Sequence, residues 1–261
     1  MKSVFFSVVI PTYNQADLLN IAIESVLSQY FKNFEIIIID NYSTDHTSEI
    51  IKKFEDNKVV HKKIHNEGII AKSRNEGIKV SKGEWIAFLD SDDWWYKERL
   101  QVIFEFIQNN NSFQVICTDE LINDKITNKK KIWKYGPYTN NFYKHLLQNG
   151  NCISTSASTV NKKFLIDKYI FFNENNDFIT AEDYEFFLHI ASNEGKFKFL
   201  HKVLGEHVFH EKSASSNYIK HKKAIISVVK HHIFGVQNFT KQKGKFWNSI
   251  KINFLYMDLI H

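Results

Sequence analysis

The strongest constraint on the fold is the alternation of apolar runs with helical patterns over the first ninety residues. Runs rich in branched apolar residues predict strands at Val4–Ile10, Phe34–Ile39, Val59–Ile64 and Trp85–Leu89. Between them, apolar residues recur with helical spacing in Asp17–Tyr30, Asp45–Phe54 and Ile69–Val80. Apolar strands without polar alternation are typical of a parallel sheet that is covered on both faces. We therefore predict an α/β fold with a mostly parallel central sheet flanked by helices.

The pattern is weaker after residue 97. A helix is predicted over Lys97–Asn109 and a second, apolar helix over Ala181–Ser192. Short strands are predicted at Val115–Cys117, Ser154–Val160 and Leu204–Phe209. The segment Asn123–Tyr143 is polar and rich in lysine, and we interpret it as a variable excursion from the sheet. A further helix is predicted over Ile219–Phe234.

Polar clusters follow three of the first four predicted strands at the point where each strand ends. They are Thr12-Tyr13-Asn14, Asp40-Asn41 and Asp90-Ser91-Asp92-Asp93. In parallel α/β sheets, ligands bind at the carboxyl ends of the strands. The repeated placement of polar residues there predicts a ligand site at this edge of the sheet.

The acidic cluster at residues 90–93 has two interpretations. Carboxylates one residue apart at a turn can converge on one Mg²⁺ or Mn²⁺ ion, because hard divalent ions prefer carboxylate oxygens. The alternative is an acidic turn that caps the helix beginning near Trp94. Mutual repulsion of the carboxylates without a cation favours the metal interpretation.

Two further charged positions also have two interpretations each. Arg74, or Lys72 beside it, could contact a phosphate, although a charge on a helix surface is the simpler explanation. Glu182 and Asp183 begin a strongly apolar helix, where an acid is normally an N-terminal cap that the helix dipole stabilises. Asp183 is also placed where a carboxylate could act as a general base.

Composition excludes several classes of protein. Cys117 and Cys152 are the only cysteines, too few for a disulfide framework or a thiolate metal cage, so we expect a cytoplasmic setting. No apolar run approaches the roughly 18 to 20 residues that span a bilayer, and the first apolar run does not resemble a secretory signal. The phosphate-loop, dinucleotide-fingerprint, nucleophile-elbow and zinc-protease motifs are absent from the sequence.

Positive charge is concentrated at the C-terminal end. Residues 218–261 contain eight lysines and one acid, Asp258, which gives them a net charge of +7 and leaves −2 for the rest of the chain. A basic segment with aromatic residues suggests an anionic partner, either a membrane surface or a nucleic acid. A solvated helical face explains the same charges without a partner.

Five short motifs, taken in order, resemble those of family 2 glycosyltransferases over roughly residues 4 to 216. They are Val9-Ile10-Pro11-Thr12-Tyr13-Asn14, Ile38-Ile39-Asp40-Asn41-Tyr42-Ser43, Asn66-Glu67-Gly68 with Lys72-Ser73-Arg74-Asn75, Phe88-Leu89-Asp90-Ser91-Asp92-Asp93, and Ala181-Glu182-Asp183. The resemblance implies the GT-A fold. It also implies an inverting transfer from a nucleoside-diphosphate sugar, usually UDP-linked, with Mn²⁺ or Mg²⁺ as the cofactor, to a glycan or lipid-linked acceptor.

The resemblance also assigns roles to particular residues. It implies that Asp183 is the catalytic base and that Asp90 and Asp92 bind the metal, with Asp92 the more direct ligand. His210 resembles a late histidine near the diphosphate, and we predict that it completes the metal site. It places in the donor site a set of residues that come from the first four motifs: Pro11, Thr12, Tyr13, Asn14, Asp40, Asn66, Arg74, Asp90 and Ser91. The commoner Asp-Asp-Gly-Ser run is here Asp40-Asn41-Tyr42-Ser43, so the identity of the donor stays open.

The predicted organisation is a glycosyltransferase domain at 1–217, with a nucleotide-binding half at 1–96 and an acceptor-binding half at 97–217, followed by a basic helical extension at 218–261. We expect the extension to contact the inner face of the cell membrane and expect no nucleic-acid partner, while the oligomeric state stays open. Competing interpretations are a sugar nucleotidyltransferase and a non-catalytic carbohydrate-binding protein. The nucleotidyltransferase would release pyrophosphate, and the binding protein would not need Asp90, Asp92 and Asp183 together.

Overall fold

The computed structural model of the chain describes residues 3–54, 58–110, 112–211, 213, 217–236 and 242–257, with side chains described as far as residue 250. The last part of the predicted basic extension, residues 258–261, therefore lies outside the described residues. Cys117 and Cys152 are both free thiols.

The first half of the chain forms the predicted alternation of strands and helices. Its elements are β1 (Phe6–Thr12), α1 (Ala16–Leu27), β2 (Phe34–Asp40), α2 (Thr47–Lys52), β3 (Val59–Lys63), α3 (Ile70–Val80) and β4 (Trp85–Phe88). Strand β1 is parallel to both β2 and β4, and β2 is parallel to β3. The prediction of a parallel sheet is confirmed.

The apolar character of β2 follows from its position between two layers of helices. All seven of its residues are buried. Ile36 and Ile38 belong to the core cluster that includes α1, whereas Ile37 and Ile39 belong to the cluster on the other side, with α3. Because both faces are covered, no position in the strand alternates to a polar residue facing solvent.

The first strand extends further than the sequence predicts. The predicted strand ends at Ile10, before Pro11, yet β1 continues to Thr12, and Pro11 lies opposite Ile39 of β2. The carbonyl of Val9 accepts from Leu89 N, so Pro11, two residues later, faces the same side, where pairing with β4 has already stopped. Proline therefore loses no ladder hydrogen bond at this position.

The second half adds strands in both directions. Its elements are β5 (Trp94–Trp95), α4 (Arg99–Asn109), β6 (Val115–Asp124), β7 (Lys129–Trp133), α5 (Phe142–Asn149), β8 (Ser158–Asn161), α6 (Lys162–Asp167), α7 (Glu182–Ser192), β9 (Phe197–Phe209), α8 (Tyr218–Lys230) and α9 (Lys243–Met257). Within the described residues the strand order is β3-β2-β1-β4-β8-β6-β9-β5, and β7 pairs with β6. Strands β5, β7 and β8 run antiparallel to their neighbours.

Several predictions for the second half were wrong in extent. Strand β6 is longer than predicted and continues into the lysine-rich segment, where β7 pairs with it instead of forming an irregular excursion. Strand β9 begins at Phe197, before the predicted Leu204, while β8 is shorter than predicted. The sequence of β7 has no apolar alternation because all of its residues are exposed at the edge of the sheet.

The described part of the basic extension packs on the body of the protein. Ala224, Val228 and Val229 of α8 are buried in the same core cluster as α7, and Ile250 of α9 joins them. Helix α8 contacts the 3₁₀ turn Asn176–Phe178 and α7, and α9 contacts α5. Among the described residues, no helix has the length and apolar content required to cross a membrane.

Candidate functional site

A cleft of about 590 Å³ opens at the carboxyl ends of β1 and β4 and the beginning of α7. Its lining includes nine of the residues singled out from the sequence: Pro11, Thr12, Tyr13, Asn66, Arg74, Asp90, Ser91, Asp92 and Asp183. Asn14, Asp40 and His210 were also singled out, and they are described residues that lie beside the cleft rather than in its lining. Strand ends from the first half and a helix start from the second half therefore meet in one cavity.

Two buried polar atoms at the ends of β1 and β2 lack hydrogen-bond partners. Thr12 lies opposite Asp40 in the parallel register. Neither Oγ1 of Thr12 nor Oδ2 of Asp40 has a hydrogen-bond partner among the residues that the structure describes. Since a buried polar atom without a partner is costly, this pair is suited to receive hydrogen bonds from a ligand or to donate them to it.

The environment of Asp40 keeps it ionised. Its Oδ1 accepts from Ser43 N, and its Oδ2 lies 3.6 Å from His61 Nε2 and 3.7 Å from Lys63 Nζ. Burial alone would raise the pKa of Asp40, but His61, Ser43 and Lys63 together lower the pKa below its ordinary value. The residue is therefore a charged acceptor next to the cleft.

Asn14 has a structural contact that the sequence did not reveal. Its side-chain oxygen accepts from Thr44 N at 2.7 Å, and its own N–H donates to Ser43 Oγ. Asn14 thus joins the loops that follow β1 and β2. In the second of these loops Tyr42, at a positive φ of 50°, stacks on His65 with 3.9 Å between ring centroids.

Arg74 connects the two halves of the cleft. Helix α3 carries it, and Gly77 in the same helix approaches β1 so closely that a Cβ would lie 2.3 Å from Val9 Cγ1. The buried guanidinium donates from Nη2 to Asp90 Oδ1 and from Nη1 to Glu182 Oε1, each at 2.7 Å. Burial alone would lower the pKa of Arg74, but Asp90 and Glu182 raise it, so the guanidinium is permanently charged.

Lys72 and Asn66 have local partners on the same side of the cleft. Lys72, the alternative candidate for a phosphate contact, instead pairs with Glu67 at 2.7 Å. Asn66 holds the loop before α3 because its side chain donates to Ser73 Oγ and accepts from Gly68 N. The hydroxyl of Ser91 donates to Gln15, which the sequence did not single out.

Asp92 and His210 are in contact across the mouth of the cleft. His210 Nε2 lies 3.0 Å from Asp92 Oδ2. Burial, followed by the nearby charges of Asp93 and Asp90, raises the pKa of Asp92 to about 6, although His207 and His210 oppose the shift. An excess of carboxylates at this position is the electrostatic condition that a cation relieves.

Asp93 has a structural role different from that of its neighbours in sequence. It is fully buried and accepts from Ser156 Oγ at 2.6 Å and from Val208 N at 2.8 Å. His207 Nδ1 lies 3.0 Å from its Oδ2, and although burial opposes protonation, Asp93 raises the pKa of His207 to about 10. The buried pair ties the loop after β4 to β9, and the sequence alone gave no means to separate Asp93 from Asp90 and Asp92.

Asp183 stands at the start of α7 on the far side of the cleft. Its Oδ2 accepts from Asn151 Nδ2 at 3.1 Å, and its Oδ1 accepts from Tyr184 N at 2.7 Å. Burial and then the adjacent charge of Glu182 raise the pKa of Asp183 to about 7, against the opposing effect of Arg74. A carboxylate with a pKa near neutrality is suited to accept a proton at physiological pH. The sequence had not indicated Asn151, which lies in a loop without a motif.

The residues fit a cation that is shared with a bound substrate. Within the described ranges, no three His, Cys, Asp or Glu side chains are arranged to hold a metal ion by themselves. Asp92 and His210 supply a carboxylate and an imidazole in contact. Mg²⁺ is typically bound by one or two carboxylates together with substrate phosphates, so an incomplete protein ligand set suits this use.

The fold and the site define a class of protein, the glycosyltransferases with the GT-A fold. Comparison with known proteins narrows the class. Residues 7–171 match the family described as glycosyl transferase family 2, and the chain belongs to that family.

Relatives with known names extend the match beyond that range. The chain is 32% identical over 214 residues to the Escherichia coli enzyme UDP-Glc:alpha-D-GlcNAc-diphosphoundecaprenol beta-1,3-glucosyltransferase WfaP, covering 82% of this chain and 81% of that protein. It is 48% identical over 122 residues to an uncharacterized glycosyltransferase of Rickettsia felis. That second match covers 46% of this chain but only 20% of the length of the relative.

Solved structures show the same fold. TarS from S. aureus, residues 1-349 in complex with UDP-GlcNAc, superposes with a TM-score of 0.71 at 22% identity, covering 94% of this chain and 72% of that chain. The prediction of a GT-A fold is confirmed by this likeness.

Proposed function

We propose that this chain transfers a sugar from a nucleoside-diphosphate sugar to a hydroxyl group of a glycan or lipid-linked acceptor, with inversion at the anomeric carbon. The observation that carries the proposal is the convergence in one cleft of Asp183 from α7 with Asp90 and Asp92 from the end of β4. Such a cleft offers a base on one side and an anionic, cation-binding wall on the other. A non-catalytic carbohydrate-binding protein has no use for this arrangement.

Donor binding is assigned to the first half of the chain. Thr12 presents a hydroxyl without a hydrogen-bond partner, and Asp40 presents a charged carboxylate, where a nucleoside would lie, with Pro11 and Tyr13 in the adjoining cleft wall. A uridine nucleotide is the proposed donor group. The structural neighbour TarS was solved with UDP-GlcNAc, and the relative WfaP is named for UDP-Glc, which supports this choice.

A divalent cation, Mn²⁺ or Mg²⁺, would be held by Asp92 and His210, with Asp90 behind them. When bound, it would act as a Lewis acid that neutralises charge developing on the leaving diphosphate. Arg74 keeps Asp90 in place through its hydrogen bond of 2.7 Å and supplies a fixed positive charge beside the carboxylates. Asp90 therefore orients the site more than it binds the ion directly.

Asp183 is the proposed general base. Asn151 and Tyr184 N hold the two carboxylate oxygens, so the side chain has a fixed orientation toward the cleft. In the reaction, Asp183 would remove the proton of the acceptor hydroxyl as its oxygen attacks the anomeric carbon, and the bond to the diphosphate would break on the opposite face. A positioned base of this kind contributes about 10²- to 10⁴-fold to the rate.

The acceptor is proposed to contact residues 97–217. WfaP is named for an acceptor that carries a diphosphoundecaprenol group, which supports a lipid-linked acceptor for this chain as well. Contact of residues 218–261 with a membrane surface stays a prediction. The lysines of α8 would have to provide it, because the buried apolar residues of that helix pack inward.

A donor screen tests the proposal. The protein is incubated with Mn²⁺ and each member of a panel of nucleotide sugars, and in parallel with nucleoside triphosphates and sugar phosphates. Released nucleoside diphosphate and pyrophosphate are both measured. We expect nucleoside diphosphate from one donor, with much less from the Asp183→Asn variant. Release of pyrophosphate from a nucleoside triphosphate and sugar phosphate would instead identify a sugar nucleotidyltransferase and contradict the proposal.

A further inference from the structure

The loop that joins β6 to β7, together with β7, forms a basic hairpin at the edge of the sheet, defined here as residues 124–134. Every residue from 125 to 134 is exposed. This stretch has five lysines and no acid: Lys125, Lys129, Lys130, Lys131 and Lys134. The basic hairpin is therefore a small, strongly positive surface that lies far in sequence from the C-terminal extension.

The basic hairpin also exposes large apolar side chains. Ile126 is 52% exposed, Ile132 is 54% exposed and Trp133 is 48% exposed. Single exposed apolar residues are common on proteins. Because successive side chains of a strand point to opposite faces, Trp133 shares its face of β7 with Lys129 and Lys131, whereas Ile132 lies on the other face. Lys131 Nζ lies 5.4 Å from the centroid of the Trp133 ring, so charge and apolar surface are in direct contact.

Protection of a sheet edge explains only part of this composition. Within the described residues β7 pairs with β6 alone, and lysines on an edge strand prevent pairing with another chain. That purpose is not served by Ile132 and Trp133, since exposed apolar residues on an edge favour association. The apolar side chains therefore need a partner that also accepts the lysines.

Neighbouring acids neutralise little of the charge. Lys130 forms an ion pair of 3.2 Å with Glu206 on β9. Asp124 is engaged by Thr127, whose backbone N–H and hydroxyl both donate to it. In the described part of the chain, no salt bridge involves Lys125, Lys129, Lys131 or Lys134.

We propose that the basic hairpin docks on the surface of an anionic lipid bilayer. Trp133 enters the head-group layer, where tryptophan side chains are enriched, and Lys129 and Lys131 on the same face of β7 contact lipid phosphates. Apolar insertion combined with basic charge gives reversible attachment, which neither signal supplies alone.

The position of the hairpin relative to the cleft supports this partner. Tyr135, two residues after Trp133, lines the cleft. Tyr135 and His207 also line a groove of about 320 Å³ beside the hairpin, together with Trp133 and Phe209. Docking by the hairpin brings the mouth of the cleft near the lipid surface, which is where a lipid-linked acceptor would be held.

The C-terminal extension differs from the basic hairpin in how its apolar residues are placed. Lys220, Lys223 and Lys230 of α8 are exposed, but Val228 and Val229 of the same helix are buried in the core. In α8 most of the apolar face already packs on the body of the protein, so it offers mainly charge. The basic hairpin offers charge and apolar side chains together.

Vesicle sedimentation with the full chain tests the proposal. Phosphatidylcholine vesicles with and without phosphatidylglycerol are compared, at low and at high salt. Three variants are matched to the wild type: Lys129→Gln/Lys131→Gln/Lys134→Gln, Ile132→Ser/Trp133→Ser, and, as the control, Lys220→Gln/Lys223→Gln/Lys230→Gln. Thermal unfolding and UDP binding by calorimetry show that each variant is folded.

We expect binding only to vesicles that contain phosphatidylglycerol. The hairpin lysine variant should bind about 100-fold more weakly, from about fivefold for each lysine near the surface. The Ile132/Trp133 variant should bind at least tenfold more weakly at both salt concentrations, and the α8 control less than either. Equal binding of both hairpin variants and wild type, or complete loss of binding in the α8 control alone, would overturn the proposal.

A second copy of the chain is the competing occupant of the hairpin. Light scattering of the same samples without vesicles gives the oligomeric state. A dimer that dissociates in the Ile132→Ser/Trp133→Ser variant, with vesicle binding unchanged, would show that the basic hairpin is an interface between copies and would overturn the proposal. Because UDP binding is measured separately, this failure is distinct from a failure of the proposed transferase activity.

Discussion

Residues 6–95 and residues 97–213 build their sides of the cleft in different ways. The first region places Thr12, Asp40 and Asp90 at or just after the ends of parallel strands, so the sheet alone brings them together. The second region supplies Asn151 from a loop and Asp183 from the first turn of a helix. No strand register fixes those two side chains relative to the first three.

In the second region, long-range polar contacts fix the positions of the functional side chains. Arg74 reaches Glu182 across 108 positions of sequence, and Asn75 donates to the carbonyl of Phe172. Asp93 holds Ser156 and the backbone of Val208. Donor binding should therefore depend on local strand geometry, whereas transfer should depend on buried polar contacts that join the halves.

The largest expected effect comes from Asp183→Asn, which acts only on transfer. We expect the transfer rate to fall about 10²- to 10⁴-fold, because the variant cannot accept the proton, while the donor affinity changes less than about threefold. Single-turnover kinetics and calorimetry measure the two quantities. Asp167→Asn on α6 is the control and should leave both unchanged. An equal loss of donor affinity would show that Asp183 also takes part in donor binding, and would contradict the division of the two functions between the two regions.

Arg74→Ala should remove the connection between the halves. Asp90 and Glu182 would lose their shared buried partner, so the free energy of unfolding should fall by about 3–5 kcal/mol. Urea denaturation measures this change. Arg74→Lys keeps the charge but cannot donate to both carboxylates through two fixed nitrogens, so it should recover only part of the stability. Full stability of Arg74→Ala would contradict the role assigned to the hydrogen bonds that join Arg74 to Asp90 and Glu182.

Asp40→Asn should affect the first half alone. Since a hydrogen bond to a charged group contributes about 1.5–3 kcal/mol, KM for the donor should rise roughly 10- to 150-fold. The turnover number should change little, because the acceptor and the base are untouched. Steady-state kinetics at saturating acceptor test this, with the exposed acid changed in Asp17→Asn as the control. A lowered turnover number with normal KM would show that Asp40 acts in transfer and not in donor binding, which would contradict this assignment.

Glu182→Gln should have the smallest effect at high pH and a clear effect at low pH. Asp183 has a raised pKa of about 7, so its base form, and with it transfer, is lost as the pH falls through about 7. Removing the adjacent negative charge lowers the pKa of Asp183 and moves this loss to lower pH. Profiles of kcat/KM against pH for the variant and for Glu76→Gln test the shift. An unchanged acid limb of the pH profile would show that Glu182 does not raise the pKa of Asp183.

The sequence predicted the first region well and the second poorly, for physical reasons. Strands such as β2 are buried on both faces, so apolar composition alone reveals them. Strand β7 is exposed and lysine-rich, and only its pairing with β6 makes it a strand. The sequence placed Asp90, Asp92 and Asp93 in one cluster, but their separate partners depend on Arg74, His210 and His207, which are distant in the chain.

A crystal structure of the Asp183→Asn variant with nucleotide sugar, Mn²⁺ and acceptor tests the assignment of the cleft most directly. We expect the nucleoside beside Thr12 and Asp40, the diphosphate beside Asp92 and His210, and the acceptor hydroxyl within about 2.6–3.2 Å of the side chain at position 183. A complex in which the sugar and the acceptor hydroxyl lie away from α7, with position 183 facing neither of them, would contradict it.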